Sequence, residues 1–488
     1  MNTRAQANAL GSVQSKLLAA LTMVTMVTLS PAFFSGQTMG DVNPLSQNLS
    51  QLPPAFAGSV PAGKASGTVL ELSLHDALDL SLKQNLGLIE GTQDIRSAQA
   101  ARLRALSKLL PDINARIAES VQQNNLAAFG LPPFPGVPQI VGPFSLSDAR
   151  ATLSQSLVDL SAWNKERSAS LDQRAAQLSY ADGREIVVLV IADLYLQAVA
   201  SSARVDAAQS QLATAQATYD QAVNMRKAGV VAGIDVLRSQ VELQLRQQQL
   251  LATRNRFAKD KLDLARAVGL PSGQQFNLAD KMPYAPAPAV TLEKALADAY
   301  ANRADYQRAQ ALLRSAEAAR RGATAENFPT LGLDGNYGDI GRTFGHSHGT
   351  FSTAVALNIP IFQGGKVRAD TLQADALLER RRAELEDTRA KVDSEVRKAF
   401  LDLQSAADQV EVTGKEIELA TETLTQARDR FAAGVANNLE VVQAQEALAN
   451  ANETYIESVY AHNIAKASLA RSVGLAEKSI KAFLAEMH

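Results

Sequence analysis

The chain carries one pattern twice, and this duplication constrains its fold more than any other feature. Matching motifs occur in the same order in both halves: Ser73-Leu74-x-x-Ala77-Leu78 and Thr291-Leu292-x-x-Ala295-Leu296, Leu110-Pro111 and Phe328-Pro329, Ala228-Gly229-Val230 and Ala433-Gly434-Val435, and Val268-Gly269-Leu270 and Val473-Gly474-Leu475. The first two pairs share one offset and the last two share a slightly smaller one. Two collinear copies that differ by one insertion indicate an internal duplication.

Each copy is predicted to begin with a helix and a β-hairpin. The helices, at 72–108 and 291–326, end at a proline, which cannot continue a helix. Large or apolar residues then alternate with small or polar ones, which is the period of a strand with two different faces. The alternating positions of one face are Ile113, Ala115, Ile117 and Val121 in the first copy, and Phe351, Thr353, Val355, Leu357, Ile359 and Ile361 in the second.

A very long helix follows each hairpin, at 158–227 and 362–432. At 1.5 Å per residue, about 65 residues span about 100 Å, which implies a coiled arrangement. Large and small residues alternate along heptads, with the large positions at Val205, Leu212 and Tyr219 and at Val410, Ile417, Leu424 and Phe431. A turn centred on Gly229 or Gly434 then reverses the chain into a returning helix.

Composition excludes several classes of function. The chain has 488 residues, of which 48 are basic and 50 acidic, so its net charge of −2 does not suggest a nucleic-acid partner. Cysteine is absent, which excludes disulfides, cysteine-ligated metals, a catalytic thiol and a lipid attached through cysteine. No Ser-His-Asp order, phosphate loop or zincin motif occurs. We therefore predict neither an enzyme nor a cofactor.

The N-terminal end predicts export. Arg4 and Lys16 precede the apolar run 17–29, so residues 1–32 are interpreted as a signal peptide. Both Ser30-Pro31-Ala32 and Ala55-Phe56-Ala57 fit a cleavage site. Residues 33–70, rich in Gly, Pro, Ser, Asn and Gln, are interpreted as a disordered or loosely docked leader. The strongest later apolar run, Ile186 to Ala192, is too short to span a membrane as a helix.

An exported chain without a membrane helix, whose strands have one apolar face, suggests a transmembrane barrel. Four strands are too few to close a barrel, so several chains must pool them. The predicted fold is mainly α with a membrane β-barrel, in which long helices form a second barrel that projects from the first. The predicted divisions are repeats at 71–275 and 291–476, a proline-rich linker at 276–290 and a tail at 477–488.

The chain resembles the outer-membrane efflux proteins of Gram-negative bacteria, the TolC-like outer-membrane factors. The residues that carry the resemblance are Leu157-Val158-Asp159-Leu160-Ser161-Ala162-Trp163, Ile359-Pro360-Ile361-Phe362-Gln363-Gly364-Gly365, Ala192-Asp193-Leu194-Tyr195-Leu196, Lys398-Ala399-Phe400-Leu401-Asp402, Gly229-x-x-x-x-Ile234-Asp235-Val236-Leu237 and Phe431-x-x-Gly434-x-x-x-x-Leu439-Glu440-Val441. The resemblance implies a homotrimer in the outer membrane with a shared twelve-stranded barrel and a trimeric helical barrel in the periplasm. It further implies a passive exit duct for a tripartite efflux pump or type I secretion system, with a periplasmic adaptor and an inner-membrane transporter as partners. Drug efflux, metal efflux and protein secretion all fit such a duct.

The resemblance also assigns roles at the helix tips. Asp235 and Glu440 match acidic positions of the periplasmic gate, Gln443 stands where a second acidic residue can occur, and Phe431 matches an aromatic gate position. The expected adaptor contact comprises Gly229, Val230, Gly434 and Val435. Two alternatives stay open: the acidic side chains lie near helix N-termini, where they favour the dipole, and the heptad position of Phe431 also fits plain core.

Two other interpretations compete with parts of this picture. The chain as a whole could be an exported coiled-coil scaffold, although a rod has no use for four alternating segments at matched places. The pair His346 and His348 in the second hairpin tip has the chemistry of a Zn or Cu ligand pair, but two ligands make a weak site and a solvated loop is the simpler interpretation.

Overall fold

The computed structural model describes residues 54–130, 135–281, 284–286 and 290–484. The predicted signal peptide, the predicted leader up to residue 53 and the last four residues of the predicted tail lie outside these ranges. The described part is mainly α-helical, as predicted, with one four-stranded sheet and one short two-stranded sheet.

The two copies have the same order of elements. In the first copy these are α1 (Leu74–Gln84), α2 (Leu86–Leu106), β2 (Asp112–Asn125), β3 (Ile140–Val158), α3 (Leu160–Lys227) and α4 (Gly233–Val268). In the second copy they are α5 (Leu292–Asn302), α6 (Ala304–Ala325), β5 (Thr330–Gly341), β6 (Ser347–Asn358), α7 (Lys366–Ala432) and α8 (Asn438–Ser472). Short strands β1 (Leu70–Leu72) and β4 (Phe276–Leu278) pair in parallel, and α9 (Ala476–Leu484) ends the described chain.

The prediction of a single helix at the start of each copy is wrong. Each is two helices, broken at Asn85 and at Arg303, where ψ is 129° and 121°. The Asn85 side chain caps α2 by accepting from the Leu88 N–H at 3.4 Å and donates to the Phe56 carbonyl at 2.9 Å. Side-chain contacts therefore stabilise an extended residue that helix propensity alone does not reveal.

The four long strands form one antiparallel sheet in the order β2-β3-β5-β6. The two hairpins join through β3 and β5, so both copies contribute to the same sheet. β6 ends at Asn358, and the predicted strand positions Ile359 and Ile361 lie beyond it. This end follows from Pro360, which has no N–H to donate to a ladder.

The long helices α3 and α7 match the predicted spans to within a few residues and have 68 and 67 residues. A window of α3 is apolar and long enough to span a membrane by composition, but 67% of it is buried within the chain. That burial is typical of a core helix. The same window contains the apolar run 186–192, which lies in the main core.

The main core lies where the middle of α3 meets α1, the end of α4, the end of α8 and α9. Its buried side chains include Leu72, Leu78, Val187, Ile191, Tyr195, Leu264, Val268, Ala470 and Ile480. Part of the predicted leader belongs to it: Phe56 packs against this core, and a Cβ at Gly87 or Gly183 would contact the Phe56 ring at 2.5 or 3.1 Å. Of the two interpretations of the leader, docking therefore describes the position of Phe56.

The predicted tail is also partly ordered. Residues 476–484 form α9, and Glu477 makes an ion pair of 2.6 Å with Arg184 of α3. The Ala476 N–H donates to the Glu185 carboxylate at 2.6 Å. These contacts bind the C-terminal helix of the second copy to the long helix of the first.

Candidate functional site: the paired helix tips

The two turns that end the long helices lie side by side. Gly229 and Gly434 have φ of 76° and 71°, which glycine adopts without strain. In both turns the following N–H, of Val230 or Val435, donates to the carbonyl five residues earlier, at 2.9 and 3.1 Å. A Cβ on Gly434 would lie 4.0 Å from Val230 Cγ1, so the predicted adaptor-contact residues of the two copies meet at one surface. Val230 and Val435 are both exposed there.

Phe431 is core in this structure. Its side chain is 1% exposed and belongs to a cluster with Leu424, Ala427, Val441 and, from α3 of the first copy, Ala222. The Phe431 ring therefore does not project from the tip. Of the two interpretations of the sequence, a core residue of the heptad repeat describes its position. Its contacts join the coil α7–α8 to α3.

Asp235 and Glu440 lie in the first turns of α4 and α8. Asp235 is 14% exposed and its Oδ1 is 3.4 Å from Arg238 Nη1, whereas Glu440 is 46% exposed and its Oε2 is 3.4 Å from Arg430 Nε. The interpretation as helix N-terminal charges therefore fits both residues. Gln443 is exposed one turn after Glu440, so Glu440 and Gln443 share an accessible face of α8.

Sequence reasoning missed Asn438, which connects the two tips. Its fully buried amide Nδ2 donates to the Asp235 carbonyl at 3.2 Å and to Ser239 Oγ at 2.8 Å. Its Oδ1 is buried and has no hydrogen-bond partner within the part of the chain that the structure describes. The first turn of α8 is thus bonded to the first turn of α4.

A second buried amide repeats this arrangement two turns further along α8. Gln445 Nε2 donates to Thr218 Oγ1 of α3 at 3.0 Å, and its Oε1 likewise has no partner among the described residues. Asn438 and Gln445 are seven residues apart and Val441 lies between them. A polar side chain in that heptad position is the signal that could have identified them, because such residues set register at a cost in stability.

Gly233, at the start of α4, is covered by another side chain of the same copy. A Cβ there would collide with Arg226 Nη1 at the end of α3. The Arg226 side chain thus lies across the turn between α3 and α4. Together with Asn438, it fixes how α4 begins.

The second hairpin tip carries the histidine pair considered above as a metal-ligand pair. His346 Nδ1 lies 3.2 Å from Thr343 Oγ1, which is a local turn contact. Within the described ranges, no group of three or more His, Asp or Glu side chains is arranged to hold a metal ion. The site with the most specific geometry is therefore the pair of helix tips.

The sequence and fold match known proteins. Residues 295–475 match the family described as "Outer membrane efflux protein". This match lies in the second copy, so that part of the chain is similar to outer membrane efflux proteins. Alkaline protease secretion protein AprF of Pseudomonas aeruginosa is 24% identical over 67% of this chain and 69% of its own. Toluene efflux pump outer membrane protein TtgC of Pseudomonas putida is 23% identical over the same shares.

The fold is shared with solved outer-membrane channel structures. The structure of the outer-membrane channel OprN superposes with a TM-score of 0.68 and 19% identity, and the match covers 86% of this chain and 96% of OprN. The duplicated helix–hairpin–helix order therefore corresponds to the fold of a channel protein.

Proposed function

We propose that three copies of this chain form an outer-membrane channel, the passive exit duct of a tripartite efflux pump or type I secretion system. The observation that carries the proposal is a sheet with one exposed apolar face joined to helices of 68 and 67 residues. The family match and the outer-membrane relatives support the location in the outer membrane. In a soluble scaffold rod, such an exposed apolar face would be in contact with water, which is unfavourable.

The faces of the sheet support a membrane barrel. Ile113, Ile117, Val121, Tyr337, Phe351, Val355 and Leu357 lie on one face, and each is at least 61% exposed. In water such an exposed surface is unfavourable, but it suits the hydrocarbon of a bilayer. The opposite face carries polar and charged side chains such as Asn114, Thr152 and Asn336, which suit a water-filled lumen.

The sheet edges support a trimer. Among the described residues, strands β2 and β6 each pair with one neighbour, so each offers an unpaired ladder of N–H and C=O groups. Inside a membrane these groups must be paired, and three four-stranded sheets closed edge to edge give twelve strands. Two exposed apolar stripes on the helices suit the same assembly: Ile234, Leu237, Val241 and Leu245 on α4, and Leu401, Val412 and Leu419 on α7.

The helix tips are proposed as the gate and as the adaptor contact. Repeated three times around the duct axis, Glu440 and Gln443 on the accessible face of α8 would ring the constriction, together with Asp235. Asn438 would hold α8 against α4 in the closed arrangement. The adjacent surface of Gly229, Val230, Gly434 and Val435 would receive a periplasmic adaptor, which links the duct to an inner-membrane transporter.

The proposal is tested by expressing the full chain in a Gram-negative host, separating inner and outer membranes, and recording from the detergent-extracted protein in a planar lipid bilayer. We expect the protein in the outer-membrane fraction and discrete conductance steps. A product found only as soluble periplasmic protein, without conductance, would contradict the channel and favour the scaffold.

A further inference from the structure

The polar face of the sheet brings two arginines directly opposite each other. Arg116 of β2 is paired in register with Arg150 of β3. Directly opposite residues of an antiparallel pair have Cβ atoms about 4.5–5.5 Å apart, and like charges there are destabilising. A basic pair at this place therefore calls for an explanation other than the stability of the sheet.

The register defines one row across the sheet. Arg116 pairs with Arg150, Arg150 with Gly338, and Gly338 with Thr350. No member of this row is acidic. The neighbouring positions Ile117, Tyr337 and Phe351 point to the other, apolar face, because successive residues of a strand alternate. The row therefore belongs to the polar face, the one assigned above to the lumen.

Only part of the positive charge is compensated. Arg150 Nε lies 3.3 Å from Asp148 Oδ1, and Arg150 Nη1 lies 3.3 Å from Asn336 Oδ1. Arg116 is exposed, and no carboxylate of the described residues lies within ion-pair distance of it. Each chain thus presents two guanidinium groups and one carboxylate at this level.

Assembly would not neutralise Arg116. In a closed barrel β2 pairs with β6 of the neighbouring copy, and β6 has the sequence Ser-His-Gly-Thr-Phe-Ser-Thr-Ala-Val-Ala-Leu-Asn, without a carboxylate. A Cβ at Gly338 would lie 2.6 Å from Arg150 Cα, so this strand approach requires glycine.

A row of opposite charge lies nearer the helices. Ser154 is paired with both Asp112 and Asp334, which places two carboxylates on the polar face. Ser154 and Arg150 are four residues apart along β3, so the two rows are separated by about 13 Å. A solute leaving the helical part of the duct would meet the acidic row first and the basic row second.

We propose that Arg116 and Arg150 form a basic belt in the barrel lumen that binds anionic groups, namely carboxylate, sulfonate or phosphate, of solutes passing outward. The inference rests on the proposed function, since the belt closes only in the trimer, where two arginines per chain give six. Guanidinium groups suit this role because they stay charged and bind such oxyanions through paired N–H donors.

The test uses the full-length trimer in planar bilayers, with inositol hexakisphosphate added on the side of the hairpin tips as a polyanionic probe. We expect it to block the wild-type channel. The double variant R116Q/R150Q should need at least ten times more probe for half block, and its reversal potential in a KCl gradient should shift toward cation selectivity. The variant R116K/R150K keeps the charge and should keep most of the block.

Two controls separate the belt from a general charge effect. R342Q removes an exposed arginine beyond the end of β5 and should leave block unchanged. D112N/D334N removes the opposite charges and should tighten block. Where the double arginine variant does not assemble, the single variant R116Q serves instead, because Arg116 makes no ion pair among the described residues. For R116Q we expect about three times more probe to be needed for half block.

Equal block of wild-type and R116Q channels by the probe would contradict the basic belt but would not contradict the proposed duct. A chain that forms no channel at all would overturn the proposed function and the belt with it.

Discussion

Asn438 Nδ2 donates to the backbone carbonyl of Asp235 at 3.2 Å, so the returning helix of one copy is bonded to the returning helix of the other. Asn438 is fully buried, and its bond joins two helices that follow the adjacent tip turns. A gate that opens by separating these tips has to break it. Among the described residues Asn438 Oδ1 has no hydrogen-bond partner, so this connection between the tips is less stable than a fully satisfied network would be.

Removing this amide should favour the open channel. We expect N438A to raise the open probability or the mean conductance of single channels in a lipid bilayer, because it removes both bonds to α4. The matched control is N450A, an exposed asparagine of the same helix, which should behave as wild type. Identical recordings for N438A and wild type would show that this contact does not hold the gate.

The acidic residues of the tips should contribute unequally. Glu440 is 46% exposed and Asp235 14%, so a cation in the mouth has better access to Glu440. We expect E440Q to weaken block by divalent cations more than D235N does, and the double variant D235A/E440A to weaken block or raise conductance further. Unchanged block and conductance in the double variant would leave the helix-dipole explanation for both residues.

The break between α5 and α6 should depend on a buried ion pair. Arg303 Nη2 lies 2.6 Å from Asp305 and Nη1 lies 2.7 Å from Glu395, and the arginine is nearly fully buried. R303M leaves two carboxylates without their partner, and because Asp305 is 19% and Glu395 40% exposed we expect a loss of about 1–3 kcal/mol of unfolding free energy. Thermal unfolding of the purified protein measures this loss, and R303M/D305N should recover part of it.

The same pair predicts a dependence on pH. Burial raises the pKa of Asp305, but the hydrogen bonds and the positive charge of Arg303 outweigh burial and hold the pKa below its ordinary value of 3.8. A depressed carboxyl pKa stabilises the fold above the ordinary value and loses that contribution as pH falls through the folded value. The melting temperature of wild type should therefore fall more steeply below pH 4 than that of D305N. Parallel curves would contradict this.

A basic residue in place of Ile117 on the apolar face should hinder assembly. I117R places a guanidinium on the face assigned to lipid, where a basic residue costs about 2–4 kcal/mol at the bilayer midplane. We expect I117R to reduce the amount of trimer in the outer-membrane fraction. N114R, on the polar face of the same strand, is the control and should assemble normally. Equal loss in both variants would mean that the faces are not oriented as proposed.

Much of this fold is predictable because it repeats. The duplication and the two-residue period around Ile117 and Val355 indicate two copies of helix, hairpin and long helix. The structure extends this with breaks at Asn85 and Arg303 and with the docking of Phe56. These depend on contacts between distant residues, such as Arg303 with Glu395 and Phe56 with Gly183, which a local pattern does not contain.

The tips were predictable only in part. The turns at Gly229 and Gly434 follow from the sequence, because glycine after a long helix signals a left-handed cap. The burial of Phe431 was one of two open interpretations. The bond from Asn438 to Asp235 was missed, because its acceptor is a backbone carbonyl, which no side-chain pattern reveals.

The number of chains in the membrane-extracted particle tests the central claim most directly. Native mass spectrometry of the protein, purified in detergent from outer membranes, would measure it without cross-linking. The account predicts a particle of three chains, since two unpaired sheet edges per chain must close on neighbours. A monomer, stable in the membrane fraction or soluble without detergent, would contradict it.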